Sequence, residues 1–277
     1  MGAGTRTFSL ILVISLLLSC SHGAEVSHAA ETRANQCGEV GAVPDSVRED
    51  FSLDPFYRKY VDAAGLPVLS SDAPDDIALQ QACKLLLNML SERPDVREKL
   101  VELKARFVVI GKHEGTTDVP EYGFRDRPQM EKDAINARTR GIGGQASSCG
   151  EENLMCLAGD RYPNESICVH ECSHTIREGV YQVNSGFGVR LESYFEKAKS
   201  SGILDGTYRG ENFDEYWAEG VQDWYNTNAR ADSPDGINNA VSTRMELKEF
   251  DPNLYAMIGE VFPSDTDWGD CHAHNMP

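Results

Sequence analysis

The sequence predicts an α+β fold, mainly helical, with a small sheet beside one central helix. Three observations predict it. Several stretches repeat apolar side chains every three to four residues, the period of a helix with one buried face. One short run, Arg106-Phe107-Val108-Val109-Ile110-Gly111, is apolar and β-branched throughout, as in a buried strand. Between them stands His170-Glu171-Cys172-Ser173-His174, an H-E-x-x-H pattern whose two histidines share one face if the segment is helical.

Residues 1–23 have the form of a secretory signal peptide. Arg6 precedes an apolar run from Phe8 to Leu18, too short to span a bilayer, and the small-residue stretch Ser19-Cys20-Ser21-His22-Gly23 follows. Cleavage is expected near Gly23 or Ala24. The alternative is a bacterial lipoprotein signal with Cys20 as the lipid anchor. Residues 24–45 are polar and aperiodic, so a flexible leader is expected, with order beginning near Pro44-Asp45. Phe56, Tyr57, Tyr60 and Val61 fit a short amphipathic helix ending at Gly65. Leu66 to Leu69 reads as an edge strand, because Pro67 cannot donate to a central ladder.

The spacing of Ile77, Ala78, Ala82, Leu85, Leu86 and Met89 predicts a helix from Asp75 to Glu92. Pro94 interrupts it, and a second helix runs from Asp95 to about Lys104. After the strand, Lys112 to about Pro163 shows little periodicity and includes the run Gly141-Ile142-Gly143-Gly144. A loop of that length suggests the wall and rim of a cleft. The motif helix is expected from Asn164 or Ser166 to Glu178, with Gly179 as its stop. Further helices are predicted at Val189–Ser200, from Phe213 to about Asn228, at Thr243–Phe250 and at Asp251–Phe262, with a Gly-rich turn over 202–210. A polar tail occupies 266–277.

The chain has 277 residues and a formal net charge of −18. Such an acidic surface argues against nucleic acid or an anionic membrane as partner and leaves basic or neutral substrates open. No segment after the leader is apolar enough for a membrane span. Cleavage of the signal would leave Cys37, Cys83, Cys149, Cys156, Cys168, Cys172 and Cys271, an odd number, so one is free or intermolecular. Most should pair after secretion, and a bridge from the 149–156 loop to Cys168 or Cys172 would staple the cleft entrance. Asn164-Glu165-Ser166 is a glycosylation sequon in a eukaryotic host.

The motif carries its own chemistry. Two imidazoles one helical turn apart can share a Zn²⁺ at about 2.0–2.1 Å each. Glu171, beside the first, can take a proton from a water at the metal. The bland alternative is a pair of histidines on an amphipathic helix. A catalytic zinc needs a third protein ligand. The extended pattern H-E-x-x-H-x-x-G-x-x-H is excluded, since Arg177 and Val180 stand where Gly and His would be. Glu215 and Glu219 lie at i and i+4 on the Phe213 helix. One could ligate while the other holds a ligand histidine through its free ring N–H, unless both are surface carboxylates.

With Tyr208, these glutamates complete Tyr-x6-Glu-x3-Glu after H-E-x-x-H. The arrangement resembles the catalytic domain of anthrax toxin lethal factor and its gluzincin relatives, and more of the chain resembles secreted metallopeptidases related to that domain. The stretches that carry this are Phe56 to Val61, Thr116 to Tyr122, Glu152-Asn153-Leu154 and Tyr216-Trp217-Ala218-Glu219. The resemblance implies a metallopeptidase-like catalytic domain over 46–265. It implies one zinc per chain on His170, His174 and Glu215, with Glu219 behind them. Glu171 would be the general base, Tyr208 the hydroxyl that meets the oxyanion, and a peptide or protein the substrate. Cys172 and Ser173 depart from the relatives, which have an aromatic and a small residue there. The competing class is a non-catalytic binding or interaction protein on the same scaffold.

Other candidates have plainer readings. His113 could line the cleft but reads first as a lone histidine. Asp118 and Glu121 could meet a basic group but read first as turn caps. His272 and His274 read as solvated. Cys172 does not share a face with His170 or His174.

Overall fold

The computed structural model describes residues 1–2, 37–264 and 271–272. The expected signal peptide, the leader up to residue 36 and most of the tail, with Cys20 and His274, lie outside the described residues. The elements run β1 (Gly41–Ala42), α1 (Asp45–Asp50), β2 (Lys59–Ala63), β3 (Leu66–Ser70), α2 (Asp76–Met89), α3 (Pro94–Glu102), β4 (Arg106–Ile110), α4 (Gln129–Asn136), β5 (Gly141–Ile142), β6 (Ala146–Gly150), α5 (Glu151–Leu154), α6 (Ile167–Val183), α7 (Phe187–Ser200), α8 (Phe213–Trp224), α9 (Arg244–Phe250) and α10 (Pro252–Ile258). The fold is α+β and mainly helical, with one small mixed sheet.

The strands stand in the order β1-β2-β3-β4-β6-β5. β3, β4 and β6 are parallel, and the outer pairings are antiparallel. Successive side chains of β3 and β4 serve opposite faces. Val68, Phe107 and Val109 enter the main core under the helices, while Leu69, Val108 and Ile110 enter a smaller core with Tyr57 and Val119. That double burial explains the unbroken apolar run at 106–110.

Five expectations are corrected. Tyr60 and Val61 lie in a strand: the two-residue loop Ala64-Gly65 has φ of 53° and 95°, which closes a hairpin between β2 and β3 where a helix stop was expected. β3 is interior, not an edge. Its ladder to β4 begins at Val68, so Pro67, which lacks an N–H, stands just outside that ladder. The stretch 112–163 holds α4, β5, β6 and α5, so it is no structureless loop. Gly179 does not end α6, which continues to Val183. A Cβ there would stand 2.8 Å from Leu100 Cγ, so the glycine lets α3 and α6 approach closely. Residues 37–45 also belong to the fold: Cys37 is bonded to Cys83, and β1 pairs with β2.

Two further disulfides surround the motif helix. Cys149–Cys168 joins β6 to α6, and Cys156–Cys271 ties the far end of the chain to the loop before α6. Cys172 is free and buried. Among the described residues no helix is long and apolar enough to cross a membrane.

Candidate metal centre

α6 begins where Ser166 Oγ accepts from the Val169 N–H. Cys168, Val169, Cys172, Ile176 and Val180 turn into the core, which leaves His170, Glu171 and His174 on the wall of a cleft of about 940 Å³. α8 is started by Asn212, whose Oδ1 accepts from the N–H groups of Asp214 and Glu215 at 2.9 and 3.0 Å. Trp217 Nε1 donates to the Ser173 carbonyl at 3.1 Å and pins α8 against α6. Glu215 therefore faces the two histidines.

The convergence is close. Glu215 Oε2 lies 2.9 Å from His170 Nε2 and 3.7 Å from His174 Nε2. The three donor atoms lie within 4.8 Å of one another. Donors about 2.05 Å from a tetrahedral Zn²⁺ stand roughly 3.3 Å apart, and the two contacts bracket that value. Two neutral nitrogens and one carboxylate oxygen are also the donor set zinc favours in catalytic sites. Burial opposes charge on His170, but the Glu215 hydrogen bond and the Glu171 and Glu219 carboxylates outweigh it and push the imidazole up to about 10. Burial also opposes charge on Glu215, yet bonds from both histidines hold its carboxyl well below the usual range. The pocket between the rings favours positive charge, and the residues fit a bound cation.

Glu171 is half-buried beside the two rings. Burial raises its pKa, opposed by both histidines and by a hydrogen bond from the Gly143 N–H. The Gly-rich run makes that contact possible. A Cβ on Gly141 would stand 2.7 Å from Glu171 Cγ, and one on Gly143 would stand 2.6 Å from His174 Cβ. The Gly144 carbonyl in turn accepts from Thr175 Oγ1 at 2.5 Å. The Gly-rich wall is thus laid directly on the motif helix. Tyr208 leans over the site from the other side, its ring 6.4 Å from that of His170 and 39% exposed. Burial and the Glu215 and Glu171 carboxylates raise its pKa, so the phenol keeps its proton.

The hydrogen bond expected from Glu219 is made instead by Gln222. Its Oε1 accepts from His170 Nδ1 at 2.8 Å, whereas Glu219 Oε1 is 3.7 Å away. Gln222 Nε2 donates to the Ser166 carbonyl at 3.2 Å, which fixes which end of the amide faces His170. Glu219 Oε2 accepts from Asn228 Nδ2 at 3.1 Å. A buried pair, Arg209 Nη1 to Asp223 Oδ2 at 2.8 Å, bolts the Tyr208 turn to α8. The only advance signals were positional: Gln222 lies seven residues after Glu215 on the same face, and Arg209 adjoins Tyr208.

The remaining candidates separate. His113 is exposed and lines a smaller cavity of about 390 Å³. Asp118 caps the Gly115 N–H at 2.8 Å. Glu121 accepts from Tyr57 and Arg106 on the far face of the sheet. His272 is buried, 5% exposed, with Nε2 3.5 Å from Asp160 Oδ2; the disulfide at Cys271 holds it there, so the solvated reading is corrected. No protein-family model matches the chain, and no curated protein and no solved structure matches it.

Proposed function

We propose that the protein is a secreted zinc-dependent peptidase of the gluzincin kind. The observation that carries the proposal is the meeting of His170, His174 and Glu215 in an open cleft with Glu171 beside them. His170, His174 and Glu215 would hold the ion. Zinc there supplies a Lewis acid for the scissile carbonyl and a water whose pKa falls to about 7. Glu171 accepts the water proton and returns it to the leaving amine. Its burial suits a base that must also act as an acid, and the Gly143 N–H keeps its carboxyl facing the histidines. The Tyr208 hydroxyl donates to the oxyanion as it forms. Gln222 fixes the His170 tautomer with Nδ1 protonated, which leaves Nε2 free to ligate. The three disulfides support an oxidising compartment and hence secretion.

β5 is the last strand of the sheet and lines the cleft, so an extended peptide could add to that edge. The test begins with metal content in wild type, His174→Ala and Glu215→Ala. One zinc per chain, lost in both variants, supports the site. Chelator-sensitive cleavage of a peptide by wild type, absent in zinc-loaded Glu171→Gln, supports the mechanism. Normal turnover in Glu171→Gln refutes it, and a wild-type chain that takes up no zinc turns the reading to a binding scaffold.

A further inference from the structure

The charges in the cleft wall are not all matched. Asp214 and Glu178 both meet Arg177. Arg140 is paired with buried Glu152. Glu219 is held by Asn228, with Arg209 Nη2 at 3.8 Å. Glu165 stands apart. Among the described residues its carboxylate has one hydrogen-bond partner, Gln222 Nε2 at 3.5 Å, and no Lys or Arg within ion-pair distance. A carboxylate offers about four acceptor positions, so most of this one's capacity is unused inside a cavity.

Its position is built, not incidental. The Glu165 N–H donates to the Tyr162 carbonyl at 3.2 Å. Its own carbonyl accepts from Asn153 Nδ2 at 2.8 Å. Asn153 is fully buried, and its Oδ1 accepts from the Ile167 N–H. The carboxylate is thus presented from a rigid corner at the start of α6. Burial and the nearby Glu219 charge push its pKa up to about 7, against the opposing pull of His170, the Gln222 bond and His272, which only partly offset them. An ionised group so placed is costly unless a cation joins it. Ile167 and β5 line the same cleft and offer an apolar and backbone wall, along which the aliphatic stem of a charged group can lie. Arg138, exposed at the rim, stays outside ion-pair distance of Glu165.

We propose that this end of the cleft is a subsite for a positively charged group of the substrate, with the Glu165 carboxylate as its acceptor. The inference rests on the peptidase reading for the occupant being a peptide, and on the unmatched carboxylate for the charge. The group is an ammonium or guanidinium, from a Lys or Arg side chain or from a free N-terminus.

The experiment measures binding, not turnover. Zinc-loaded Glu171→Gln protein is titrated with labelled alanine-based peptides by fluorescence anisotropy. Acetylated peptides carry Lys or norleucine at each position in turn, and one all-Ala peptide keeps a free N-terminus. Binding about tenfold tighter for Lys than for norleucine at one position, or for the free over the acetylated terminus, is expected from one charge-assisted contact. The first result assigns a side chain and the second a terminus. Adding Glu165→Gln, which keeps an acceptor for Gln222, should abolish that preference. An unchanged preference in the double variant overturns the proposal. Equal affinities in the Glu171→Gln parent overturn it as well, so the test stands even if the double variant fails to fold. Hydrolysis assays judge the peptidase reading separately: a chain that cleaves nothing yet prefers Lys to norleucine keeps the subsite and loses the mechanism.

Discussion

Replacing Gln222 by Met tests the centre at the point where sequence and structure differ most. Gln222 is fully buried and makes three hydrogen bonds: Oε1 accepts from His170 Nδ1 at 2.8 Å, and Nε2 donates to the Ser166 carbonyl at 3.2 Å and, at a longer 3.5 Å, to Glu165 Oε2. Met keeps the length and volume and removes all three. Loss of a partner behind a ligand histidine weakens metal binding by about 10- to 100-fold, or about 1.4–2.7 kcal/mol. The fold should suffer less, because the Ser166 carbonyl keeps the His170 N–H at 3.2 Å. A net loss of about 1 kcal/mol is expected there, or about 2–4 °C in Tm. Zinc affinity is read by competition with a chromophoric chelator, and Tm by calorimetry on the metal-free protein. Glu219→Gln, whose carboxylate sits 3.7 Å from the same nitrogen, serves as the comparison. Wild-type zinc affinity in Gln222→Met together with a large loss in Glu219→Gln would refute the assignment and return Glu219 to the role the sequence suggested.

Three more predictions follow from the same geometry. Gly143→Ala puts a Cβ 2.6 Å from His174 Cβ, so zinc affinity and Tm should both fall, the latter reflecting about 1–3 kcal/mol of overpacking; equilibrium dialysis and calorimetry read the two. Replacing Cys149 and Cys168 together by Ser opens a bridge that spans 19 residues, and should cost about 3 kcal/mol in denaturant unfolding on the chain-entropy estimate. Burial raises the pKa of Asp160, but bonds from His272, the Tyr162 N–H and Asn153 outweigh it and hold the carboxyl below its ordinary 3.8. Its contribution to stability is present above that value and is lost as pH falls through the lower folded-state pKa, so Asp160→Asn should flatten the decline in Tm below about pH 4.

Much of the fold was legible because its helices bury one regular stripe. Ala78, Ala82, Leu85, Leu86 and Met89 are all buried as the spacing required, although Ile77 is 59% exposed. β6 could not be read, since Ala-Ser-Ser-Cys-Gly carries no β-branched or bulky side chain. Its place depends on distant partners: Ser148 Oγ accepts from the Tyr122 hydroxyl, and Cys149 is bonded to Cys168. Small side chains there leave room for a helix on one face and a tyrosine on the other. Gly65 and Gly179 misled because one residue serves several ends. The first supplies a left-handed turn and the second a close helix contact. At the centre, the meeting of His170, His174 and Glu215 could be expected because a shared ion would impose a spacing within each helix. Gln222 was invisible because an amide at one more helical position carries no such mark until the facing helix is known.

The bridge from Cys156 to Cys271 also sets an order of events. The chain emerges from the ribosome N-terminus first, at about 5–20 residues per second. The motif helix and Glu215 are therefore made before Cys271, which lies 115 residues beyond its partner. Until it arrives, Cys156 is an open thiol in the loop before α6, and Cys172 of that helix is a second thiol already made. The nascent chain thus passes through a stage in which all three proposed ligands exist but that loop is not yet locked. Closure of that loop over the proposed centre is then timed by oxidation as well as by folding.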